Sequence, residues 1–398
     1  MKYLVVIANG LTDRPIAEKE NKTPLQLADT PNLDRMVQEG CSGSVQTIPE
    51  NCKAGNEISY LSLLGYDPEK HDIGPAYFDT LAIGLNLKEG EIPLCCNFVT
   101  LQASHNDMVM KDYTADHLSS EESINYLNAL QTQISDFGVT FYPGVGPHNI
   151  MVMNSKPFTI RLTSPNELIG EGIRKFMPVD AEFKDLIYII NQAQIILHNH
   201  PVNKKRKLES LDYANSIWLW GNGKNGTLPS FKKKYGKSGS LISASLLFQG
   251  MAKSAEMRVV KVEGASGFAE TNYENKVKAA IQELESQEIV YLNVAGIEDI
   301  SLKGNIDDKI ITIEDIDSKV IGPLLKETFS NNEIKMMVVV NHMNSAVDVK
   351  YGKDRVPFVM SGKNDTNLVS NFDENLLNVG NNHFKSGSDL MSMFFDLN

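Results

Sequence analysis

Tyr3-Leu4-Val5-Val6-Ile7-Ala8-Asn9-Gly10 and Met337-Val338-Val339-Val340-Asn341-His342 are the two stretches that decide the fold. Each is a near-continuous apolar run that stops at a polar pair. A strand buried on both faces has no reason to alternate polar and apolar residues, so such runs suit a parallel sheet covered by helices. Glu288–Val294 and Val356–Met360 read the same way, and further strands are expected at Ser44–Ile48, Ser216–Trp220 and Met257–Val262. Between them lie helical patterns. Thr30-Pro31 places a capping residue before a proline at the first helical position, and that helix stops at Gly40. Gly55 to Leu64 reads as another helix, and the pattern returns over 238–255, 272–287 and 305–330, with Thr271 and Glu274 as an expected capping box.

From about 71 to 210 the rhythm changes. Strand-like pieces fit Leu94–Leu101, Phe137–Tyr142 and Asn149–Met153, and helices fit 119–135, where Ser119 and Glu122 form a capping box, and 180–198. The expected architecture is therefore α/β. A doubly wound, mostly parallel sheet is built from 1–70 and 211–398, interrupted by an inserted α+β domain over 71–210. In open sheets of this type, sites lie beyond the carboxyl ends of the strands. That directs attention to Asn9-Gly10, Asn293, Asn341-His342 and the helix start near Asn56.

The 398 residues are 42% hydrophobic and 22% charged, ordinary globular usage with ample material for a core. Thirty-eight basic against fifty acidic side chains give −12, which argues against nucleic acid as a partner. The run Lys204-Lys205-Arg206-Lys207 reads as a solvated loop. The N-terminal apolar run is too short for a signal peptide, and no stretch approaches a membrane span, so a cytoplasmic protein without membrane partners is expected. Cys95 and Cys96 sit together in an apolar run and read as buried thiols. No C-x-x-C occurs, so a zinc-thiolate site is not expected. The loop Gly221-Asn222-Gly223-Lys224-Asn225-Gly226 lacks the pattern of a nucleotide-binding loop.

Several segments, taken in order, resemble the archaeal-type cofactor-independent phosphoglycerate mutases of the alkaline phosphatase superfamily. They include Thr23-Pro24-Leu25, Thr30-Pro31-Asn32-Leu33-Asp34, Leu61-Ser62-Leu63-Leu64-Gly65-Tyr66-Asp67-Pro68 and Asn97-Phe98-Val99-Thr100. Others are Asp112-Tyr113-Thr114-Ala115-Asp116-His117, Phe141-Tyr142-Pro143-Gly144-Val145 and Val320-Ile321-Gly322-Pro323-Leu324-Leu325. The resemblance implies an alkaline phosphatase-like domain of 1–70 and 211–398 with an inserted substrate domain of 71–210. It also implies transfer of a phosphoryl group between the 2- and 3-hydroxyls of glycerate, through a serine nucleophile and two divalent cations.

The positions that carry this chemistry in the family are altered here. The stretch matching the family's Gly-Ser-Asp is Gly55-Asn56-Glu57, so the nucleophile position holds a carboxamide. The former metal-ligand positions are Asn9, Glu298, Leu302, Asn341, His342 and Tyr351. Hard cations want anionic oxygens and borderline ones want imidazole or thiolate, so this set is expected to hold no metal, and no cofactor is expected. On the substrate side, the family's Gly-Arg-Ala-Pro corresponds to Gly74-Pro75-Ala76-Tyr77 and its Arg-His to His148-Asn149. Asp112, His117 and Lys224 remain as residual anion or substrate contacts. The expectation is a catalytically inactive relative with a binding, regulatory or structural role. Its rivals are an active mutase or phosphatase with an altered metal set, and a binder of a small phosphorylated or carboxylated anion. The sequence points to no protein partner.

Overall fold

The computed structural model describes every residue except 72, 135, 136, 157, 159, 179, 181, 182, 332, 363–368, 380, 381, 397 and 398. The starts and ends of two expected helices, residues 181–182 and 135, lie outside the described residues. Among the described residues no helix is long and apolar enough to cross a membrane. The chain divides into two compact units, Met1–His71 with Thr227–Asn398, and Asp72–Gly226. The first unit supplies β1 (Lys2–Ala8) and β2 (Cys41–Val45). The second supplies β3 (Glu91–Ser104), β4 (Asp107–Asp112), β5 (Val139–Val145), β6 (His148–Asn154) and β7 (Ser216–Trp220). The first then resumes with β8 (Gly239–Ile242), β9 (Arg258–Val260), β10 (Ile289–Val294) and β11 (Ile334–Val340). It closes with β12 (Asn344–Ser345), β13 (Lys350–Tyr351), β14 (Val356–Met360) and β15 (Asn382–Phe384).

In the first unit eight strands form one sheet in the order β15-β2-β14-β11-β1-β10-β8-β9. Five of its pairings are parallel; β14 runs antiparallel to both β11 and β2. This is the mostly parallel α/β arrangement expected. Its centre is apolar on both faces. Leu4 to Ala8, Ile289 to Leu292, Val294 and Met336 to Val340 are fully buried. Each such side chain contributes about 1.5–3 kcal/mol on burial, which selects the continuous apolar runs that announced these strands. Because β11, β1 and β10 are parallel neighbours, with Ala8 opposite both Val340 and Val294, their carboxyl ends share one edge of the sheet.

In the second unit β4-β3-β6-β5 form an antiparallel sheet, with β7 also on β3. Leu94, Cys96 and Phe98 point to one face and pack with the helices Ser120–Ile134 and Lys184–His198 through Tyr126, Leu130, Leu186 and Ile190. The intervening Cys95 and Asn97 therefore point to the other face.

Four local features differ from expectation. The strand Ser216–Trp220, expected in the main sheet, pairs with β3 over Val99 to Cys95, so 211–226 belongs with the second unit. The helix expected over 238–255 begins as β8, which pairs with β10, and only Leu246–Ser254 is helical, capped by Ser245. The capping box at Ser119 and Glu122 forms, but at the helix Tyr273–Ser286 the cap is Asn272, while the Thr271 hydroxyl donates to Ser266 O. The basic run is also not a solvated loop. It lies on the helix Pro201–Leu208, and Arg206 is buried against Glu122 and the carbonyls of Ala115, Asp116 and Asp212.

Candidate functional site

The shared edge of β11, β1 and β10 delivers three amides. Asn9 follows β1, Asn293 lies at the end of β10, and Asn341 follows β11. A fourth, Asn56, opens the helix Asn56–Leu63. These four side chains form one continuous hydrogen-bonded network whose orientation is set by backbone. The Gly10 N–H donates to Asn341 Oδ1 (3.0 Å), so Asn341 Nδ2 must point away, and it donates to Asn56 Oδ1 (2.8 Å). Asn56 Nδ2 then donates to Glu298 Oε2 (2.7 Å). Asn9 Nδ2 donates to the Tyr60 hydroxyl (2.6 Å) and reaches Asn56 Oδ1 at 3.5 Å, while Asn9 Oδ1 accepts from Asn293 Nδ2 (2.8 Å). Ser243 Oγ closes the far end by donating to Asn293 Oδ1 (3.0 Å).

Glu298 comes from the helix Ile297–Leu302, and its second oxygen accepts from the Tyr351 hydroxyl on β13. The Tyr351 ring meets the His342 ring edge-on at 4.9 Å. His342 is fully buried. Its Nδ1 lies 3.0 Å from the Met343 carbonyl and its Nε2 lies 3.3 Å from Asn56 Oδ1, two acceptors of which a neutral ring can serve only one. Burial pushes its imidazole toward the neutral form, only partly offset by the nearby Glu298 charge. The structure thus gathers five of the six expected ligand positions around Asn56. The sixth, Leu302, is buried four residues beyond Glu298 on the same helix and offers no donor atom. Tyr60 joins the network although no sequence motif singles it out. It stacks flat on Phe248 at 4.1 Å, and burial raises its hydroxyl pKa strongly.

This donor set does not fit a pair of divalent cations. Among the described residues of the network only Glu298 brings a carboxylate and only His342 an imidazole. The oxygen of Asn56 already accepts from two amides. Four positive charges would meet one negative one.

The second unit holds a different constellation. Asp79, Cys95 and His148 each present a ligand atom, all within 4.8 Å of one another, on the helix Pro75–Ile83, β3 and β6. This cluster could hold a metal ion, and it overturns the expectation that the chain provides no cofactor site. Sequence reasoning misses it because residues 79, 95 and 148 follow no ligand spacing. The period-two pattern of β3, which separates Cys95 from Cys96, is the available signal. The three residues expected to remain as anion or substrate contacts are elsewhere in this unit. Asp112 is committed to a turn, accepting from the Thr114 N–H and hydroxyl and the Asp116 N–H at 2.7 Å each. His117 ends three consecutive left-handed residues, Ala115 to His117, and Lys224 pairs through its backbone with Ile73.

Comparison with known proteins places this geometry in context. The model of a family described as 2,3-bisphosphoglycerate-independent phosphoglycerate mutase matches residues 37–203. A probable 2,3-bisphosphoglycerate-independent phosphoglycerate mutase of Geobacter sulfurreducens is 34% identical over 398 residues, covering 100% of both chains. The 2,3-bisphosphoglycerate-independent phosphoglycerate mutase of Methanosarcina mazei is 33% identical over 397 residues, covering 99% of each. Among solved structures, a Pyrococcus horikoshii protein matches with a TM-score of 0.75 at 23% identity, over 100% of this chain and 97% of that one. The cofactor-independent phosphoglycerate mutase of Thermoplasma acidophilum matches with a TM-score of 0.57 at 25% identity, over 100% of both.

Proposed function

The chain belongs to the 2,3-bisphosphoglycerate-independent phosphoglycerate mutase family, and from that premise we propose that it is a member whose strand-end site has given up phosphoryl transfer and serves in binding or regulation. The relatives from Geobacter sulfurreducens and Methanosarcina mazei carry the name phosphoglycerate mutase. A covalent route at this edge of the sheet needs a nucleophile, and the position that would supply it is Asn56. Its carboxamide is held by Asn341 and Asn9 on the oxygen and by Glu298 on the nitrogen. That engaged amide is the observation that carries the reading. An amide nitrogen has no lone pair basic enough to attack phosphorus, and here the amide oxygen already accepts two hydrogen bonds.

The rival reading, an active mutase or phosphatase with an altered metal set, has the Asp79, Cys95 and His148 cluster in its favour. One assay separates the two. Interconversion of 2- and 3-phosphoglycerate is measured beside the Methanosarcina mazei relative, with zinc or manganese added to both. Loss of a nucleophile from a catalytic unit costs about six decades, so the expected rate lies at least about five decades below the relative. Metal-dependent turnover within about two decades of it, lost in Cys95→Ser or in Asn341→Ala, overturns the proposal.

A further inference from the structure

The geometry points to a mononuclear zinc-type site in the second unit, formed by Asp79, Cys95 and His148 with an exchangeable fourth position. Asn97 on β3 lies opposite His148 on β6, and Cys95, two residues earlier, shares the face of Asn97. Trp220 on β7 lies opposite Cys95. The helix Pro75–Ile83 adds Asp79 to that face. Cys95 Sγ lies 3.1 Å from Asp79 Oδ2, and His148 Nε2 lies 2.8 Å from the same oxygen.

Two independent details mark this trio as a place for a cation. The first is the histidine. Trp220 Nε1 donates to Asn97 Oδ1 (2.8 Å), which fixes that oxygen as the acceptor presented to His148 Nδ1 at 3.0 Å. His148 Nδ1 therefore carries a proton, and Nε2 points straight at a carboxylate oxygen. At 2.8 Å either a proton or a metal ion must lie between the two. A ring N–H held by a carbonyl oxygen is also the usual outer-shell support of a metal-bound histidine. The second detail is Asp79 itself. It is 1% exposed, and its Oδ1 is buried without a hydrogen-bond partner. An orphaned carboxylate oxygen at that depth is costly unless something positive takes it up.

The donor chemistry names the ion class. One thiolate, one imidazole and one carboxylate suit a borderline cation such as zinc, with cobalt as its spectroscopic stand-in; magnesium and calcium reject sulfur. Three protein donors leave a tetrahedral ion one position short, the arrangement of an open site. Asp79 and Cys95 are buried while the His148 side chain is 25% exposed, so the open position is reached from the His148 side. Gly221 belongs to the design, since a Cβ there would sit 2.6 Å from Cys95 Sγ. Binding converts the Cys95 thiol to a thiolate and releases its proton to solvent.

The test is titration of the full chain, stripped with chelator, with cobalt and then zinc. One equivalent of cobalt is expected to bind, giving tetrahedral d–d bands and a thiolate-to-cobalt charge-transfer band, and zinc is expected to displace it and raise the melting temperature. Cys95→Ser loses the charge-transfer band, and His148→Gln weakens binding at least tenfold while keeping the wild-type circular dichroism. Cys41→Ser and Cys52→Ser leave the band in place. Folded wild-type protein that shows no charge-transfer band, or a band that survives Cys95→Ser, overturns the assignment. These spectra do not depend on any phosphoglycerate chemistry, so the site and the proposed loss of transfer stand or fall separately.

Discussion

Asn9→Asp puts a charge where the structure has arranged neutrality, and its cost can be worked through. Asn9 is 1% exposed. Its Oδ1 keeps the Asn293 donor after the change, and Tyr60 can turn its hydroxyl to donate instead of accept. What is lost is the contact to Asn56 Oδ1, which now faces a carboxylate oxygen. Glu298 is the larger problem. A single amide, Asn56, bridges Asn9 and Glu298, so the two carboxylates lie within about 8 Å, where an effective dielectric of about 20 gives about 2 kcal/mol of repulsion. Incomplete solvation of the new charge brings the expected destabilisation to about 2–3 kcal/mol at pH 8. That is equivalent to raising the new carboxyl by about two pKa units, from about 3.9 to near 6. A group whose folded pKa is raised imposes no penalty below its unfolded pKa, and the penalty grows until pH passes the folded value. The gap to wild type should therefore roughly halve between pH 8 and pH 5. Urea unfolding in chelator should be followed by far-ultraviolet circular dichroism. Both tryptophans, Trp218 and Trp220, lie in the second unit and do not report this site directly. A variant as stable as wild type at pH 8, or a gap that does not change with pH, refutes the electrostatic account.

Two further outcomes follow from groups buried in the first unit. Lys309 and Asp13 pair at 2.8 Å with both side chains fully buried, and Lys309 also donates to the Thr12 and Asn344 carbonyls. Lys309→Met leaves Asp13 uncompensated and is expected to cost about 3–5 kcal/mol in urea unfolding, with a large part recovered in the double change with Asp13→Asn. Glu374 accepts from the Thr23 hydroxyl and the Asp13 N–H, yet burial raises its carboxyl to about 7. Raised above its unfolded value, it holds a proton in the folded state that the unfolded chain gives up, so wild type loses stability as pH climbs from about 4.5 to about 7. Glu374→Gln is expected to flatten that part of the stability profile by up to about 3 kcal/mol, and an unchanged profile counts against it.

How much of this was legible in the sequence depends on range. The main sheet was legible because its strands are buried on both faces and so carry their identity in consecutive residues. The strand-end residues were legible as ends of buried strands, and the structure makes β10 and β11 the parallel neighbours of β1, which brings Asn9, Asn293 and Asn341 to one edge. β8 was not legible, because Gly239-Ser240-Leu241-Ile242 is too short and too poor in β-branched residues to stand out from the helix that follows it. β7 was recognised as a strand and given the wrong partner, since an apolar run states that it is buried and not against what. At Thr271 and Glu274 two residues satisfied a capping pattern one position early, and the neighbouring Asn272, an equally good cap, took the role.

The two sites differ in why one was visible and the other was not. The amide network includes Asn9, Asn56 and Asn341, positions that the family resemblance marked as replacements, so its chemistry could be judged by what was missing. At the Asp79, Cys95 and His148 cluster the resemblance spoke only of lost arginines, at His148 itself and at nearby Pro75. Judged as losses, these positions looked damaged. Judged in three dimensions, His148 is held in one tautomer by Asn97, which is itself fixed by Trp220, and both supports lie on the strands that carry or flank the donors. Drift that merely removes a substrate contact leaves no reason for the outer partners to be satisfied while a buried carboxylate oxygen is left waiting. The same comparison holds at the strand ends, where four amides and a serine are oriented in one unbroken chain from the Gly10 N–H to the Ser243 hydroxyl. Here the amides pair with one another, and the unpaired buried Asp79 Oδ1 stands beside a thiol and an imidazole, the two groups that would share a cation with it.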